Sequence, residues 1–391
     1  VGIQKTYDVI VIGAGPVGCT AATLCADEGL STLLVEEHAT IGYPVQCAGL
    51  LSVQAFHECR VSEDSVLNTI SGARIITNNA AITFQAKETK AYVVDRAHLD
   101  REIAMHAAAA GSDILIKTYA KHIKKNTVFL TGAMGSYTVS GKVIIAADGP
   151  KSSIARMKGL TGPKTVLSGL QCDIRYNMDP SHVEIFPNGS EDFFAWIIPI
   201  GNGRARAGLA GTHDVKNRFL TFIKPFEQSC IHFVAGTIPL GVIPQTYADH
   251  TLITGDAAGF AKPTSGGGVY TGVRSARHAA ATAIEACEQE HFDASSLSVY
   301  EKRWKSDFGR ELALGYLLFK LRNNLHPSDI EYFIKNAQDP AFLRLIEDKG
   351  DMDRPSRLLK RIMFSPVMAR SAGHILIKKI RDSSFRLNNN D

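Results

Sequence analysis

Near the start of the chain, Gly13-Ala14-Gly15-Pro16-Val17-Gly18 has the residue types and spacing of a turn that cradles a dinucleotide. In such a turn Gly13 permits the tight bend, Gly15 lets the backbone approach a pyrophosphate, and Gly18 lets a helix pack closely on a strand. Ala14 and Pro16 belong to the same phosphate-facing backbone, and the helix that follows offers free N–H groups to the phosphates. At the expected offset of about 20 residues, Glu36 stands where a carboxylate accepts hydrogen bonds from the adenosine ribose hydroxyls, with Glu37 as its alternative. An acid at this point argues against a 2′-phosphate. The competing reading is an ordinary glycine turn beside a solvated Glu, and only the flanking elements separate the two.

Those elements have the required form. Tyr7 to Ile12 is a continuous β-branched run, as in a strand buried on both faces of a parallel sheet. Pro16 to Gly29 is small-residue and helix-compatible, Gly29 closes it, and Thr32 to Glu36 is a second apolar strand, completing a βαβ unit. Short alternating segments between Ile75 and Asp95 predict a hairpin layer, and Arg96 to Ala110 a helix. Strands are expected at Ile114–Lys117, Thr127–Leu130, Tyr137–Ser140 and Val143–Ala147. From Ser168 to Leu209 the pattern changes to long strands without helices, an antiparallel sheet. The strand near His250 reverts to the buried parallel type, Val269 to Glu290 is a long Ala-rich helix, and helices broken near Pro327, Pro340, Pro355 and Pro366 follow. The final Asn-Asn-Asn-Asp is expected to be disordered.

Two later segments bear on the ligand. Ala146-Ala147-Asp148-Gly149-Pro150 resembles the DG motif of FAD-dependent hydroxylases and reductases, and Gly255-Asp256-Ala257-Ala258-Gly259 resembles their GD motif. The resemblance implies FAD as cofactor, with Asp148, Gly149 and Asp256 among its contacts. It also places Gly266, Gly267, Gly268 and Val269 beside the flavin, at the start of a helix whose dipole favours negative charge. Arg96 or Arg101 corresponds to an arginine contact to FAD in those families, and Ala120 to a further cofactor contact. Either arginine reads equally well as a solvated helix residue.

With the YPVQCAG segment Tyr43–Gly49 and with Phe194-Ala195-Trp196-Ile197-Ile198-Pro199, the chain resembles the archaeal geranylgeranyl reductases over nearly its whole length. That resemblance implies reduction of the isoprenoid chains of membrane ether lipids by hydride from flavin N5 plus a proton. It brings Cys47, Ala48 and Gly49 near the flavin, Cys47 being the candidate for a catalytic part, although an isolated Cys is usually an inert buried residue. Phe194, Trp196, Ile198 and Pro199 become substrate contacts. Read as residues alone, Phe194, Trp196 and Ile198 alternate on one strand and are pocket wall or plain sheet core. The family has Phe where Ile198 stands, and a second glycine where Gly208-Leu209-Ala210 has Ala210, departures that bear on pocket shape.

The fold expected is α/β, α+β overall: a Rossmann-like FAD-binding domain of the hydroxylase/reductase type, an antiparallel-sheet substrate domain and a helical C-terminal region. The FAD-binding domain is assigned to residues 1–72, 96–165 and 246–292, the substrate layer to 73–95 and 166–245, and the helical region to 293–391. A formal charge of +4 and the lack of lysines interleaved with aromatics exclude a nucleic-acid binder. Seven cysteines without CxxC spacing point to neither a disulfide framework nor a metal site. No apolar run approaches the roughly 20 residues needed to span a bilayer, and no signal core stands at the start. Between Arg354 and Arg386 there are nine Lys or Arg and one acid, Asp382, interleaved with apolar residues. Such helices lie on anionic membranes or cap the protein. The expected setting is therefore cytoplasmic, peripheral on the inner face of the membrane. The expected partners are a prenylated glycerophospholipid and either a ferredoxin-like donor or NAD(P)H. A flavin monooxygenase on an aromatic or polyene and a non-catalytic flavin-bearing lipid carrier are the alternatives.

Overall fold

The computed structural model describes residues 4–133 and 135–387, with the backbone alone for Lys360 and 379–387, so the terminal Asn-Asn-Asn-Asp lies outside the described residues. The chain forms two compact units. The first comprises Val1–Leu67, Tyr92–Gly169 and Val234–Tyr316, the second Asn68–Ala91, Leu170–Phe233 and Leu317–Asp391.

The first unit is built on the buried β-branched run, strand β1 (Thr6–Ile12). β1 pairs in parallel with β2 (Thr32–Val35) on one side and with Gly135–Ala146 on the other. Thr251–Ile253 and Asp113–Leu115 extend the parallel sheet at its two sides. Val9, Ile10, Leu33, Leu34, Ile144 and Ile145 have no exposure, each contributing roughly 1.5–3 kcal/mol by burial. The sequence reads two strands at Tyr137–Ser140 and Val143–Ala147, but the chain runs straight through as one. Its first half is antiparallel to Thr127–Gly132, whose other neighbour Thr118–Lys124 alternates buried and exposed residues and was not anticipated beyond Lys117. Helix α1 (Pro16–Asp27) packs against Val269–Gln289 and Arg96–Ala109. Close approach is possible because the buried side chains are small: Cys19, Ala21, Ala22 and Cys25 on α1, and Ala276, Ala279, Ala280 and Ala283 on the long helix. A Cβ on Gly272 would already meet Val17 at 2.7 Å.

A seven-stranded sheet runs in the order Ile231–Leu240, Thr165–Arg175, Arg204–Gly211, Ala195–Gly201, His182–Phe186, Gly72–Ile76, Ala81–Gln85, and the last five of these strands lie wholly in the second unit. The hairpin expected after Ile75 is its edge, and it joins His182–Phe186 by a parallel pairing, so the layer is not antiparallel throughout. One face carries Ala195, Ile197, Ala207 and Leu209 beneath Val215, Phe219 and Ile223 of the helix Val215–Ile223. That helix was not anticipated; Asp214 precedes it in the left-handed region (φ 48°) and makes no side-chain cap. Prolines 327, 340 and 366 do not simply break helices but open them, occupying the first turn of Pro327–Asn336, Pro340–Lys349 and Pro366–Leu387, where a missing N–H costs nothing. Ile334, Ala337, Phe342 and Val367 from these helices close on Ile82 of the hairpin.

Candidate functional site

The three glycines of the first turn are needed for three different reasons. Gly13 has φ +101°, and a Cβ there would lie 2.3 Å from the Ala147 carbonyl oxygen. A Cβ on Gly18 would sit 1.8 Å from the Gly13 oxygen. At Gly15 the backbone is extended (φ −74°, ψ 178°), and a Cβ would meet nothing within 4 Å. Gly13 and Gly18 are thus required by the protein's own packing, whereas the space beside Gly15 lies open. Both α1 and Val269–Gln289 begin at a glycine with no side-chain cap. By contrast, Asp95, Ser152, Asp293 and Asp339 cap the helices they precede. The uncapped first turns keep N–H groups and positive dipole ends for an anionic ligand.

Of the two acids at the end of β2, Glu36 is 9% exposed while Glu37 points to solvent. Glu36 Oε2 accepts the Ala14 N–H at 2.8 Å, and Oε1 accepts the His38 N–H at 2.9 Å and lies 2.6 Å from His38 Nδ1. A carboxylate has about four acceptor sites, so one remains for a ribose hydroxyl. His38, three residues beyond the strand, gave no sign of this role in the sequence.

Arg96 and Arg101 separate cleanly. Arg101 is exposed and its Nε donates to the Ala97 carbonyl of its own helix. Arg96 is buried and forms a two-pronged pair with Asp100, Nε to Oδ1 and Nη2 to Oδ2 at 3.0 Å each. Burial opposes its charge, but Asp100 and Cys47 outweigh that and raise the guanidinium's pKa. Asp100 is lifted by desolvation and pulled back by Arg96. The spacing of four on one helix was the legible signal for this pair. Cys47 is half-buried, and its sulfur accepts the Gly49 N–H at 3.4 Å. Ala48 and Gly49, the latter at φ +78°, continue that loop into the Leu50–Ser52 strand. Ala120 is buried in Thr118–Lys124, opposite Leu130.

The two motif aspartates behave differently. Asp148 is turned onto its own loop: Oδ1 accepts from Ser152 Oγ (2.6 Å), and Oδ2 from the N–H groups of Ser153 (2.8 Å) and Ile154 (3.1 Å). It holds the turn at Gly149 (φ +78°) and the short helix after it. Asp256 instead points at the start of Val269–Gln289, where a Cβ on Gly268 would lie 2.6 Å from Oδ1. Desolvation lifts its carboxyl from 3.8 to about 6, with Arg96 pulling the other way. A group that holds its proton more tightly when folded stabilises most below its unfolded pKa, and that stabilisation is lost as pH rises. The ligand-free protein should therefore lose about 3 kcal/mol from this group between pH 4 and 6. Denaturant unfolding across that range, with Asp256→Asn as the comparison, checks it: the variant should lack this part of the slope, and an unchanged slope would remove Asp256 as its source.

Gly266 adopts φ +74°, Gly267 and Gly268 follow, and Val269 is the first helical residue, so the triplet and the helix start lie together as the sequence reading places them. In the second unit Phe194 and Trp196 share a face, ring centroids 6.0 Å apart, with Trp196 lying on Gly208 where any Cβ would collide with the indole at 2.3 Å. Ile198 continues that face and is 3% exposed. Pro199 falls on the opposite face of the strand, and its carbonyl accepts from Asn68 Nδ2 at 3.1 Å. Trp196 Nε1 is buried without a hydrogen-bond partner among the described residues. The loop before this segment is held by Arg322, which donates to the carbonyls of Pro187, Ser190, Glu191 and Phe193. Nothing local in the sequence marks Arg322, which acts on residues 129 to 135 positions away.

Comparison with known proteins agrees with this geometry. Residues 6–212 match the FAD binding domain family. The chain is 33% identical to an uncharacterised protein of Methanocaldococcus jannaschii, over 93% of this chain and 96% of that one. It is 32% identical to digeranylgeranylglycerophospholipid reductase 2 of Methanothermobacter thermautotrophicus, over 89% of this chain and 98% of the relative. Among solved structures, a geranylgeranyl bacteriochlorophyll reductase-like protein from Thermoplasma acidophilum superposes with a TM-score of 0.85 at 27% identity, covering 94% of this chain and 98% of that one. The open side of Gly15, the uncapped helix starts and the free acceptor on Glu36 fit the pyrophosphate and ribose of FAD. With that fit and these relatives, the chain belongs to the archaeal geranylgeranyl reductase family of FAD-dependent oxidoreductases.

Proposed function

We propose that the protein saturates carbon–carbon double bonds of geranylgeranyl chains in archaeal membrane ether lipids or their precursors. The observation that carries the reading is the near full-length likeness to a digeranylgeranylglycerophospholipid reductase. When bound, FAD supplies a hydride from its reduced N5, and the other alkene carbon takes a proton. In this reading the chain's own part is to hold and to exclude. Gly13–Gly18, Glu36, Arg96 and the start of Val269–Gln289 hold the cofactor. Phe194, Trp196 and Ile198 supply the apolar wall for the prenyl chain and keep water from it. Transfer of such a chain from water to an apolar wall is favourable by about 0.8 kcal/mol per methylene.

Access to a bilayer substrate is assigned to the helical C-terminal region. Arg357 and Arg361 are exposed four residues apart on one face of the helix Ser356–Met363, and Phe364 just past its end is 86% exposed; Leu376 and Ile377 on the next helix are exposed too. Cations beside apolar side chains suit the surface of an anionic membrane. No helix among the described residues is long and apolar enough to cross one. The electron donor in this reading is a ferredoxin-like protein or NAD(P)H.

The purified protein should be yellow. After anaerobic reduction with dithionite it should add one H2 per double bond to a geranylgeranylated glycerophospholipid, read by mass spectrometry, and faster in anionic than in neutral vesicles. Reduced enzyme that leaves the lipid mass unchanged rejects the reductase reading. Equal rates in both vesicles, or an Arg357→Glu/Arg361→Glu variant that keeps the preference, rejects the membrane surface. Substrate-coupled oxygen uptake would move the assignment to a monooxygenase.

A further inference from the structure

The second unit contains two of the chain's seven cysteines, Cys172 and Cys230, and the fold brings them together. They stand 58 positions apart in the sequence, yet Cys172 Sγ donates to Cys230 Sγ at 3.3 Å. Cys172 lies on the strand Thr165–Arg175 with no exposure, in the same apolar core as Ala207 and Phe219. Cys230 is half-buried and closes the turn Lys224–Ser229, immediately before the strand Ile231–Leu240, which neighbours Thr165–Arg175 at the edge of the sheet. Beside it, Ser229 Oγ accepts the Arg175 N–H at 3.2 Å, and the Cys230 sulfur itself lies 3.5 Å from the Phe226 carbonyl oxygen.

Two thiols held this way need little motion to join. An S–S bond is about 2.05 Å long, and residues on neighbouring strands keep their Cα atoms about 4.5–5.5 Å apart, within the span that disulfides accept. The two sulfurs differ in access. Ile231 and Phe233, which follow Cys230 on the edge strand, are 52% and 62% exposed, so a small reagent meets Cys230 first. Burial pushes the Cys172 thiol up, which keeps it protonated until its neighbour has reacted.

We propose that Cys172 and Cys230 form a reversible thiol–disulfide site that exchanges with low-molecular-weight disulfides and staples the edge strand to the sheet. The Cys230 thiolate attacks one sulfur of the reagent, the reagent's S–S bond breaks, and one reagent thiol leaves. Cys172 then attacks the Cys230 sulfur of the mixed disulfide, and its proton goes to the second reagent thiolate as that departs. Two protein thiols are oxidised to one disulfide, and one reagent disulfide is reduced to two thiols. Cys47 and the dinucleotide cradle belong to the first unit, so the site stands independently of the flavin reading. A cross-link over 58 positions restricts the unfolded chain and so stabilises the folded one.

The test uses the full-length protein, incubated anaerobically with oxidised glutathione and then alkylated in denaturant without reduction. Peptide mass spectrometry should show Cys172 joined to Cys230 with the loss of two hydrogens. The melting temperature should rise by about 5–10 °C, return to its starting value with dithiothreitol, and stay unmoved in Cys230→Ser. Cys172→Ala should stop at the mixed disulfide, with one glutathione on Cys230. Recovery of Cys172 and Cys230 as alkylated thiols overturns the proposal, and so does a cross-link from either to another cysteine in its place, or one that lowers the melting temperature. Glutathione on Cys172 in Cys230→Ser overturns the order of attack. The wild-type cross-link decides the matter even where Cys172→Ala fails to fold.

Discussion

Replacing Gly15 with valine should leave the protein folded and strip it of FAD. The backbone at Gly15 is extended, a conformation that valine adopts freely, and a Cβ there meets no protein atom within 4 Å. The new side chain would instead fill the space that the pyrophosphate needs. Loss of two charge-assisted N–H bonds at roughly 1.5–3 kcal/mol each weakens binding by at least about 100-fold. Gly18→Val is the control that gives the experiment its meaning. There the Cβ would lie 1.8 Å from the Gly13 carbonyl oxygen, so α1 cannot seat on β1 and the variant should fail to fold. Circular dichroism and flavin absorbance of the two purified proteins check both statements. A folded Gly15→Val protein that still carries FAD at wild-type affinity would show that no phosphate approaches this backbone.

The second large effect is expected at the Arg96–Asp100 pair. Both partners are buried, with about a tenth of each side chain exposed. Removing the arginine leaves a desolvated carboxylate without its counter-charge, at a cost of about 3–5 kcal/mol. Arg96→Met should therefore unfold at clearly lower denaturant, and Arg96→Met/Asp100→Leu should recover much of the loss, because an apolar pair of similar volume removes the orphaned charge. The deficit has a definite pH sign. Desolvation already raises the Asp100 carboxyl, and Arg96 is what opposes it. In Arg96→Met the folded protein holds the Asp100 proton still more tightly than the unfolded chain does, so stability falls as pH rises above the unfolded value near 4. The gap from wild type should be small in acid and widest near neutrality. A double variant no more stable than the single one would mean that Arg96 acts through cofactor contacts rather than through Asp100.

Much of the first unit was legible along the chain because its determinants are local. A β-branched run, a glycine turn, a small-residue helix and an acid-ended strand are contiguous from Tyr7 to Glu36, so each leaves its signature within a few residues of chain. The same locality made the start of Val269–Gln289 readable from Gly266–Gly268. The departures came where a residue's fate depends on distant neighbours. Asp148 and Asp256 sit in similar acidic turns, yet one caps its own short helix while the other is aimed at Gly268. Arg96 and Arg101 share a helix, and only the sheet and helices packed around it decide which is buried. Glu36 rather than Glu37 faces inward, where its carboxylate accepts the N–H groups of Ala14 and His38. Arg322 shows the limit most clearly. The sequence by itself determined the glycine turn, the βαβ elements that flank it and the start of the long helix. Only the tertiary structure decided which charges stand together, since electrostatic neighbours are set by distance in space and a linear spacing carries that information only within a turn or two of a helix.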